Sequence, residues 1–223
     1  RCAKLLENAV NFVINDLNRT YQNDSFCFSY SPHDNQQVFN ASMKGVRLLA
    51  QAYHINGNRD YLRLAKQAVS FIVSKQNKNG SWAYSLAKAG GWSDNYHTGY
   101  ILDCLDEYQN LTGDKSWVDN IKLGYEFYIN NFIEDEIKPK FYDNQTYPID
   151  CTSAAQTILT TLRFGDKKIA RNVAEYMIQK MQKKNGSFMF RKFRYYIIKT
   201  SFMRWSNAWM FVSLSNLVYE SKI

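Results

Sequence analysis

The sequence is poor in the residues that break regular structure. Among 223 residues only 3 are proline and 10 are glycine, which is too few for a turn-rich all-β domain or a collagen-like chain. Its apolar runs, such as 208–212, fall far below the roughly 18–20 residues of a membrane-spanning helix. These absences favour a soluble protein built from helices.

Several signatures of well-known chemistry are also absent. The chain has no Walker loop, no dinucleotide-binding glycine fingerprint, no Gly-x-Ser-x-Gly elbow and no His-Glu-x-x-His, which disfavours nucleotide-binding, α/β-hydrolase and zincin functions. The four cysteines (Cys2, Cys27, Cys104 and Cys151) lie far apart, so no CxxC pair indicates zinc or a redox dithiol. We therefore expect no metal and no cofactor, and two or more thiols in the core.

Buried thiols fit a reducing compartment, and we expect a cytoplasmic location, with the periplasm or secretion left open. The net charge of +8 favours an anionic partner, but no run of five basic residues marks a nucleic-acid tail. A solvated basic surface is the alternative explanation. Nucleic acid is therefore not an expected partner.

The size and composition bound the organisation of the chain. A hydrophobic fraction of 45% over 223 residues is enough for a real core, and the length fits a single domain over 1–223. The first residue is arginine and no leader follows it. We expect a processed form or part of a longer protein, such as its C-terminal portion.

An internal repeat is the most informative signal. Residues 76–84 (QNKNGSWAY) recur without a gap as 182–190 (QKKNGSFMF), and weaker copies occur at 23–28 and 140–144. The aromatic residues of the four copies are Phe26, Trp82, Phe141 and Phe188. A spacing near 50 residues is that of a repeated supersecondary unit.

Apolar spacing indicates two kinds of helix in each unit. An amphipathic helix precedes each turn, and a helix that is apolar on most sides follows it, so the second is expected to be buried on most sides. The pattern predicts eight helices, over 3–18, 38–55, 59–76, 94–111, 115–132, 150–163, 166–183 and 203–220. Alternating outer and inner helices predict an all-α fold, an α/α toroid of about four hairpins, with an up-down bundle as the alternative.

The turn Gln-x-x-x-Asn-Gly-Ser-aromatic resembles the repeat motif of α/α-toroid proteins, which include terpenoid cyclases, prenyltransferases and six-hairpin carbohydrate-active families. Four further segments resemble toroid proteins associated with bacterial surface-polysaccharide biosynthesis: 38–42, 94–100, 147–150 and 204–209. This resemblance implies the fold more strongly than a reaction. Six hairpins are usual in the carbohydrate-active toroids, so the ring predicted here is incomplete.

The sequence departs from the isoprenoid branches of the toroids. It has no Asp-x-Asp-Asp acid element, and it offers adjacent Asp150-Cys151 and Asp103-Cys104 where prenyltransferases hold zinc with an Asp-x-Cys pair. An isoprenoid-binding, cyclase-like protein is therefore only the third hypothesis.

Loops that enter the inner helices of a toroid meet at one end, so polar residues there are the candidates for a site. His97 follows Asp94 by three residues on a predicted helix, where the carboxylate can orient the imidazole as a base. Alternatively, Ser93 or Asp94 caps the helix and His97 is a core residue. Asp150 is a second candidate carboxylate or a helix cap, and Tyr147 a second candidate base.

The remaining candidates would contact substrate through amide, aromatic or cationic groups. Trp92 and Trp205 are predicted to be exposed for stacking on sugar rings, and Arg204 to neutralise an anionic group. The predicted substrate-binding residues are Asn40, Trp92, Asn95, Tyr96, Arg204, Trp205 and Asn207.

The leading hypothesis is a carbohydrate-active protein of bacterial polysaccharide metabolism that binds an oligosaccharide or a uronic-acid-containing chain. If it is an enzyme, a lyase, epimerase or hydrolase is favoured. The alternative is a non-catalytic binding or assembly module that keeps the toroid scaffold.

Overall fold

A computed structural model describes residues 2–221 of the chain. Over that part of the chain the structure contains eight α-helices, as the periodicity predicts. They are α1 Cys2–Asn11, α2 Phe39–Asn56, α3 Arg59–Ser74, α4 Asn95–Thr112, α5 Val118–Phe132, α6 Cys151–Arg163, α7 Lys167–Met181 and α8 Trp209–Glu220. No described helix combines the length and the apolar character that crossing a membrane requires.

Two predicted helices are only partly α-helical. The first continues from α1 as a π-helical segment, Phe12–Asp16, and the last begins with another, Met203–Ala208. A π-helical segment of five or six residues is little more than one turn, so it is too short to establish a residue spacing of its own in the sequence.

Short antiparallel strands connect the helices. They are β1 Arg19–Gln22, β2 Ser25–Phe28, β3 Ile133–Glu134, β4 Lys138–Pro139, β5 Ile149–Asp150, β6 Arg191–Lys192 and β7 Ile197–Ile198. β1 pairs with β2, β3 with β4, and β6 lies between β5 and β7. The sequence prediction contained no strands, because pairs of two to four residues are too short to show alternation.

The chain forms two compact units. Unit 1 comprises residues 2–92 and 100–125, and unit 2 comprises 93–99 and 126–221. Helices α4 and α5 each contribute to both. The sequence expectation of a single domain remains a prediction.

In unit 1, the aromatic residues of two repeat turns anchor the core. Phe26 and Trp82 are almost fully buried, and the indole N–H of Trp82 donates to the carbonyl of Ile72 at 3.0 Å. Helix α2 packs on α3, and strand β2 packs on α3 beside it. Burial of one large aromatic side chain per turn explains why the repeat keeps an aromatic at this position.

In unit 2, α6 is the central helix and packs against both α7 and α8. Its core includes Ile158, Met177 and Phe188, the last from the second copy of the repeat turn. Asp150 caps α6, and its Oδ1 accepts the backbone N–H groups of Thr152 and Ser153 at 2.8 and 3.1 Å. The cap satisfies two donors that an open helix end would leave unpaired.

The expectation that α8 is buried on most sides is wrong. Phe211, Val218 and Tyr219 are 72%, 55% and 65% exposed, whereas Met210 and Ser213 are fully buried. Helices α6 and α7 cover only one face of α8, so the apolar character of the opposite face is not matched by packing within unit 2.

Candidate functional site

Asp94 and His97 form a hydrogen-bonded pair at the start of α4. Asp94 occupies the N-cap position, where its Oδ1 accepts the backbone N–H of His97 at 2.9 Å. Its Oδ2 lies 2.6 Å from Nδ1 of the same histidine. One carboxylate therefore caps the helix and orients the imidazole, and the catalytic role of the pair remains a prediction.

The side chains of this pair are largely buried. The side chain of Asp94 is completely buried and that of His97 is 17% exposed. With an ionised carboxylate the Nδ1–H donates to Asp94, which places the acceptor lone pair on Nε2. That tautomer is the one a general base requires.

Backbone pairing fixes the position of Asp94. It forms an isolated antiparallel bridge with Tyr142, and the N–H of Asn95 donates to the carbonyl of Phe141 at 2.9 Å. The same arrangement occurs 56 residues later, where Asp150 pairs with Arg191 and Cys151 donates to Phe190 at 3.3 Å. Both acidic caps thus stand beside the residue that follows an aromatic of a repeat turn.

A third copy of this backbone pairing lies in unit 1, but it has neither the carboxylate nor the histidine. Val38, which is 56 residues before Asp94, bridges Ser85, and Phe39 donates to Tyr84 at 3.2 Å. The third residue of the helix is Ala41 there and Ser153 after Asp150. Among the three repeats, only the one at Asp94 combines a carboxylate with a histidine.

Asp150 has a different partner. Its Oδ2 accepts from Nε of Arg191 and lies 2.9 Å from Nη2 of the same guanidinium, while Oδ1 caps α6. The Asp150 side chain is 2% exposed and that of Arg191 is 26% exposed. Burial raises the pKa of Asp150, and Arg191 and the two backbone N–H groups act in the opposite direction.

Within unit 2, a continuous row of aromatic and cationic side chains connects the Asp94–His97 pair with the Asp150–Arg191 pair. The rings of Tyr96 and His97 lie 4.1 Å apart, and that of Tyr96 lies 5.7 Å from Phe141. The Arg191 guanidinium carbon is 4.8 Å from the ring centroid of Phe141 and also from that of Phe190.

Trp205 continues the row at 6.2 Å from Phe190. It is 50% exposed, and its carbonyl accepts the hydroxyl of Thr152 in the first turn of α6. We call these six residues the aromatic row: His97, Tyr96, Phe141, Arg191, Phe190 and Trp205.

Asn95 has a packing position. It is fully buried, its Nδ2 donates to Thr157 at 2.9 Å, and its Oδ1 accepts the hydroxyl of Tyr128 at 2.7 Å. Both ends of the carboxamide are therefore held by protein, and the side chain ties α4 to α5 and α6. This geometry gives Asn95 a structural role, and its contact with a substrate remains a prediction.

Three other predicted site residues of unit 2 have different surroundings from the Asp94–His97 pair. Tyr147 is half-buried against the core beneath α6 and α7. Asn207 accepts the backbone N–H of Phe188 at 2.9 Å and so supports the second repeat turn. Arg204 is exposed in the π-helical segment that precedes α8. Their catalytic and binding roles remain predictions.

Two predicted binding residues belong to unit 1. Asn40, in the first turn of α2, is 7% exposed, and its Oδ1 has no hydrogen-bond partner among the described residues. Trp92 is 38% exposed and stacks on Tyr84 at 4.6 Å with the rings 7° from parallel. The predicted exposure of Trp92 and Trp205 is confirmed, and their contact with sugar is still a prediction.

Sequence reasoning did not select Arg191, Phe141 or Phe190 as site residues. Arg191 begins a stretch, 191–199, in which basic and aromatic residues are interleaved and which contains the β6–β7 hairpin. The structure makes Arg191 the equivalent of Tyr142, because Asp150 pairs with Arg191 as Asp94 pairs with Tyr142.

The cysteines match the prediction of core thiols. Cys27, Cys104 and Cys151 are buried and unpaired, and Cys2 is exposed. Within residues 2–221 no three His, Cys, Asp or Glu side chains approach closely enough to hold a metal ion.

Comparison with known proteins establishes the fold class. No protein-family model and no curated protein matches the sequence. The cellobiose 2-epimerase of Bacillus thermoamylovorans is similar in structure, with a TM-score of 0.80, 15% identity, and coverage of 100% of this chain and 66% of the epimerase. The chain thus spans slightly less than two thirds of that enzyme.

Two further solved structures agree. The unsaturated glucuronyl hydrolase of Bacillus sp. GL1 matches with a TM-score of 0.72 at 12% identity, covering 96% of this chain and 67% of the hydrolase. A GH76 α-mannanase of Bacteroides thetaiotaomicron matches with a TM-score of 0.70 at 12% identity, covering 98% of this chain and 62% of the mannanase. The predicted α/α-toroid fold is confirmed, and these neighbours are carbohydrate-active toroid enzymes.

Proposed function

We propose that this chain binds an oligosaccharide along the aromatic row and transfers a proton to or from it through His97. The observation that carries the proposal is the 2.6 Å contact between the buried Asp94 carboxylate and Nδ1 of His97. The carboxylate fixes the tautomer and stabilises the imidazolium that forms when Nε2 takes a proton. The structurally similar toroid proteins include a cellobiose epimerase and a glucuronyl hydrolase, which supports a carbohydrate substrate.

The aromatic row suits a sugar chain. The exposed ring of Trp205 offers an apolar face on which sugar C–H groups can stack, and the rings of Tyr96 and Phe190 are partly exposed beside it in the row. Arg191 lies between two rings, where the carboxylate of Asp150 neutralises its charge, whereas Arg204 is exposed. Together with the net charge of +8, the exposed Arg204 favours a substrate that carries uronic acid carboxylates.

The carboxylates favour proton abstraction over hydrolysis. Hydrolysis by a carboxylate pair needs two acidic groups that face the substrate, whereas Asp150 is locked to Arg191 and to the N-terminus of α6. A histidine base can instead remove the acidic proton on the carbon beside a carbonyl or a carboxylate. Epimerisation and β-elimination both begin with that step.

The experiment incubates the protein in D2O with cellobiose and, separately, with oligosaccharides that contain uronic acid. Deuterium incorporation next to the carbonyl, seen by NMR, reports epimerisation, and absorbance near 235 nm reports the double bond of elimination. We expect one of these signals from the wild type and its loss in His97→Asn.

His54→Asn is the matched control, because His54 is exposed on α2 and should leave the rate unchanged. Equal rates for wild type and His97→Asn would refute the catalytic role. Saturable sugar binding without exchange or elimination would instead support the non-catalytic binding module.

A further inference from the structure

The two copies of the repeat turn have the same conformation. Gly80 and Gly186 both have positive φ, +92° and +85°. In the first turn the side chain of Gln76 donates to the carbonyl of Gly80 at 3.1 Å, and in the second that of Gln182 donates to the carbonyl of Gly186 at 3.0 Å. An Asn side chain binds the following serine in each. Any difference between the two surfaces therefore comes from what packs on them.

Helix α5 occupies the surface of the first turn. Gln76 and Asn120 exchange two hydrogen bonds, from Gln76 Nε2 to the Asn120 carbonyl at 2.9 Å and from Asn120 Nδ2 to Gln76 Oε1 at 2.8 Å. A methyl group on Gly80 would lie 2.3 Å from the carbonyl oxygen of Leu123, and one on Gly124 would lie 2.6 Å from the Trp82 ring. The turn is thus a specific packing surface for a helix with the pattern Asn-x-x-Leu-Gly, and we call this surface the seat.

The second turn presents the same seat, and among the residues that the structure describes no helix of unit 2 lies against its glycine. A methyl group on Gly186 would meet no described atom within 4 Å, and Gly186 is exposed where Gly80 is buried. Beside it runs a groove of about 680 Å³. We call it the α8 groove. The residues that line it include Gln182, Phe188, Phe211, Leu214 and Val218.

We propose that the α8 groove binds an amphipathic helix of a partner polypeptide, seated as α5 is seated on the first turn. An amide side chain of that helix would pair with Gln182, and a small residue would face Phe188. Its apolar stripe would cover Phe211 and Val218, which are 72% and 55% exposed. Covering such side chains on docking supplies the free energy of association.

The test uses a synthetic peptide with the sequence of residues 115–132, which contains α5 and its Asn-x-x-Leu-Gly pattern. A fluorescent form is titrated with the whole chain and binding is followed by anisotropy. We expect saturable binding that weakens at least about tenfold with Val218→Asp. We also expect about tenfold weakening when Gly124 of the peptide is replaced by leucine, because the close approach to Phe188 is then blocked.

Val212→Asp is the matched control, because Val212 is a 44% exposed valine of α8 that does not line the groove. Both valines are exposed, so both variants should fold, and circular dichroism verifies this. Absence of peptide binding, or binding that Val218→Asp leaves intact, would overturn the proposal. A concentration-dependent dimer in sedimentation that Val218→Asp abolishes would also overturn it, by identifying a second copy as the occupant.

Discussion

Asp94 binds His97 twice, through Oδ1 to the backbone N–H at 2.9 Å and through Oδ2 to the imidazole Nδ1 at 2.6 Å. The first contact caps the start of α4, and the second orients the imidazole of His97, which is the base in the proposed function. Because the two contacts use different oxygens, substitutions can separate structure from chemistry.

Asp94→Asn should keep the helix cap and lose the charge. Asparagine caps helices as well as aspartate does, so the melting temperature should change little. Turnover of a substrate found in the D2O screen should fall by about 10²–10⁴, the usual contribution of a general base. A variant with normal turnover and normal stability would contradict the assigned role of Asp94.

Asp150→Asn should show the opposite pattern, with a loss of stability. The cap can persist, but the half-buried guanidinium of Arg191 loses its carboxylate, and breaking a buried ion pair typically costs about 3–5 kcal/mol. Because Arg191 is 26% exposed and burial disfavours the charged form of Asp150, a smaller loss of about 1–2 kcal/mol is expected. Urea unfolding measures this, with Asp24→Asn, an exposed turn residue of unit 1, as the control.

Asp114 should make unit 1 less stable in acid. Partial burial raises its pKa, but hydrogen bonds from Ser116, Lys66 and Tyr108 outweigh burial and hold the pKa at about 2. A lowered pKa in the folded state adds stability above the unfolded value near 3.9, and that stability is lost as pH falls toward 2.

Asp114→Asn should therefore destabilise the protein by about 1 kcal/mol at pH 7, after allowance for solvent screening. The difference from wild type should shrink steadily below pH 5. Urea unfolding at pH 7, 5 and 3.5 tests this trend, and a difference independent of pH would contradict it.

Two helical glycines should respond differently to alanine. In Gly124→Ala the new methyl group would lie 2.6 Å from the Trp82 ring, whereas in Gly45→Ala it would lie 3.3 Å from a methyl of Val13. Overpacking should cost Gly124→Ala about 1–3 kcal/mol. Gly45→Ala should change stability by less than about 1 kcal/mol, because helix propensity offsets the closer contact. Equal effects in thermal unfolding would refute the tight packing of Gly124.

The thiols should differ in reactivity. Burial raises the pKa of Cys27 to about 11 and that of Cys104 to about 12, and it also raises the pKa of Cys151. Because the thiolate is the nucleophile, only exposed Cys2 should react promptly with a disulfide reagent at pH 8. All four should react in urea. Rapid reaction of two or more thiols in the native protein would show that the core opens readily.

Much of the fold was visible in the sequence because local signals agree with one another. Apolar spacing near 3.6 residues defined eight helices, and glycine, serine and an aromatic marked the repeat turns. The buried positions of Phe26, Trp82 and Phe188 follow from the repeat itself, whereas backbone pairing makes Phe141 the equivalent of Tyr84 and Phe190. Spacing could not show the π-helical segments or the two-residue strands, because these leave no distinct period.

The candidate site was only partly predictable. Asp94 and His97 share a helical turn, so their proximity follows from local geometry. The roles of Arg191 and Phe141 depend on pairing between segments that are distant in sequence, and the capped, ion-paired state of Asp150 depends on the same pairing. Local spacing carries no information about such contacts.

The sequence by itself determined the helix content, the repeat turns and the Asp94–His97 spacing, since these depend on contacts within a few residues. Only the tertiary structure decided that Asn95 is hydrogen-bonded to Tyr128 and Thr157 and that Asp150 is ion-paired with Arg191. It also decided that one apolar face of α8 remains exposed. The physical reason is that burial and charge pairing depend on which distant segments meet, whereas the sequence pattern records only what lies nearby along the chain.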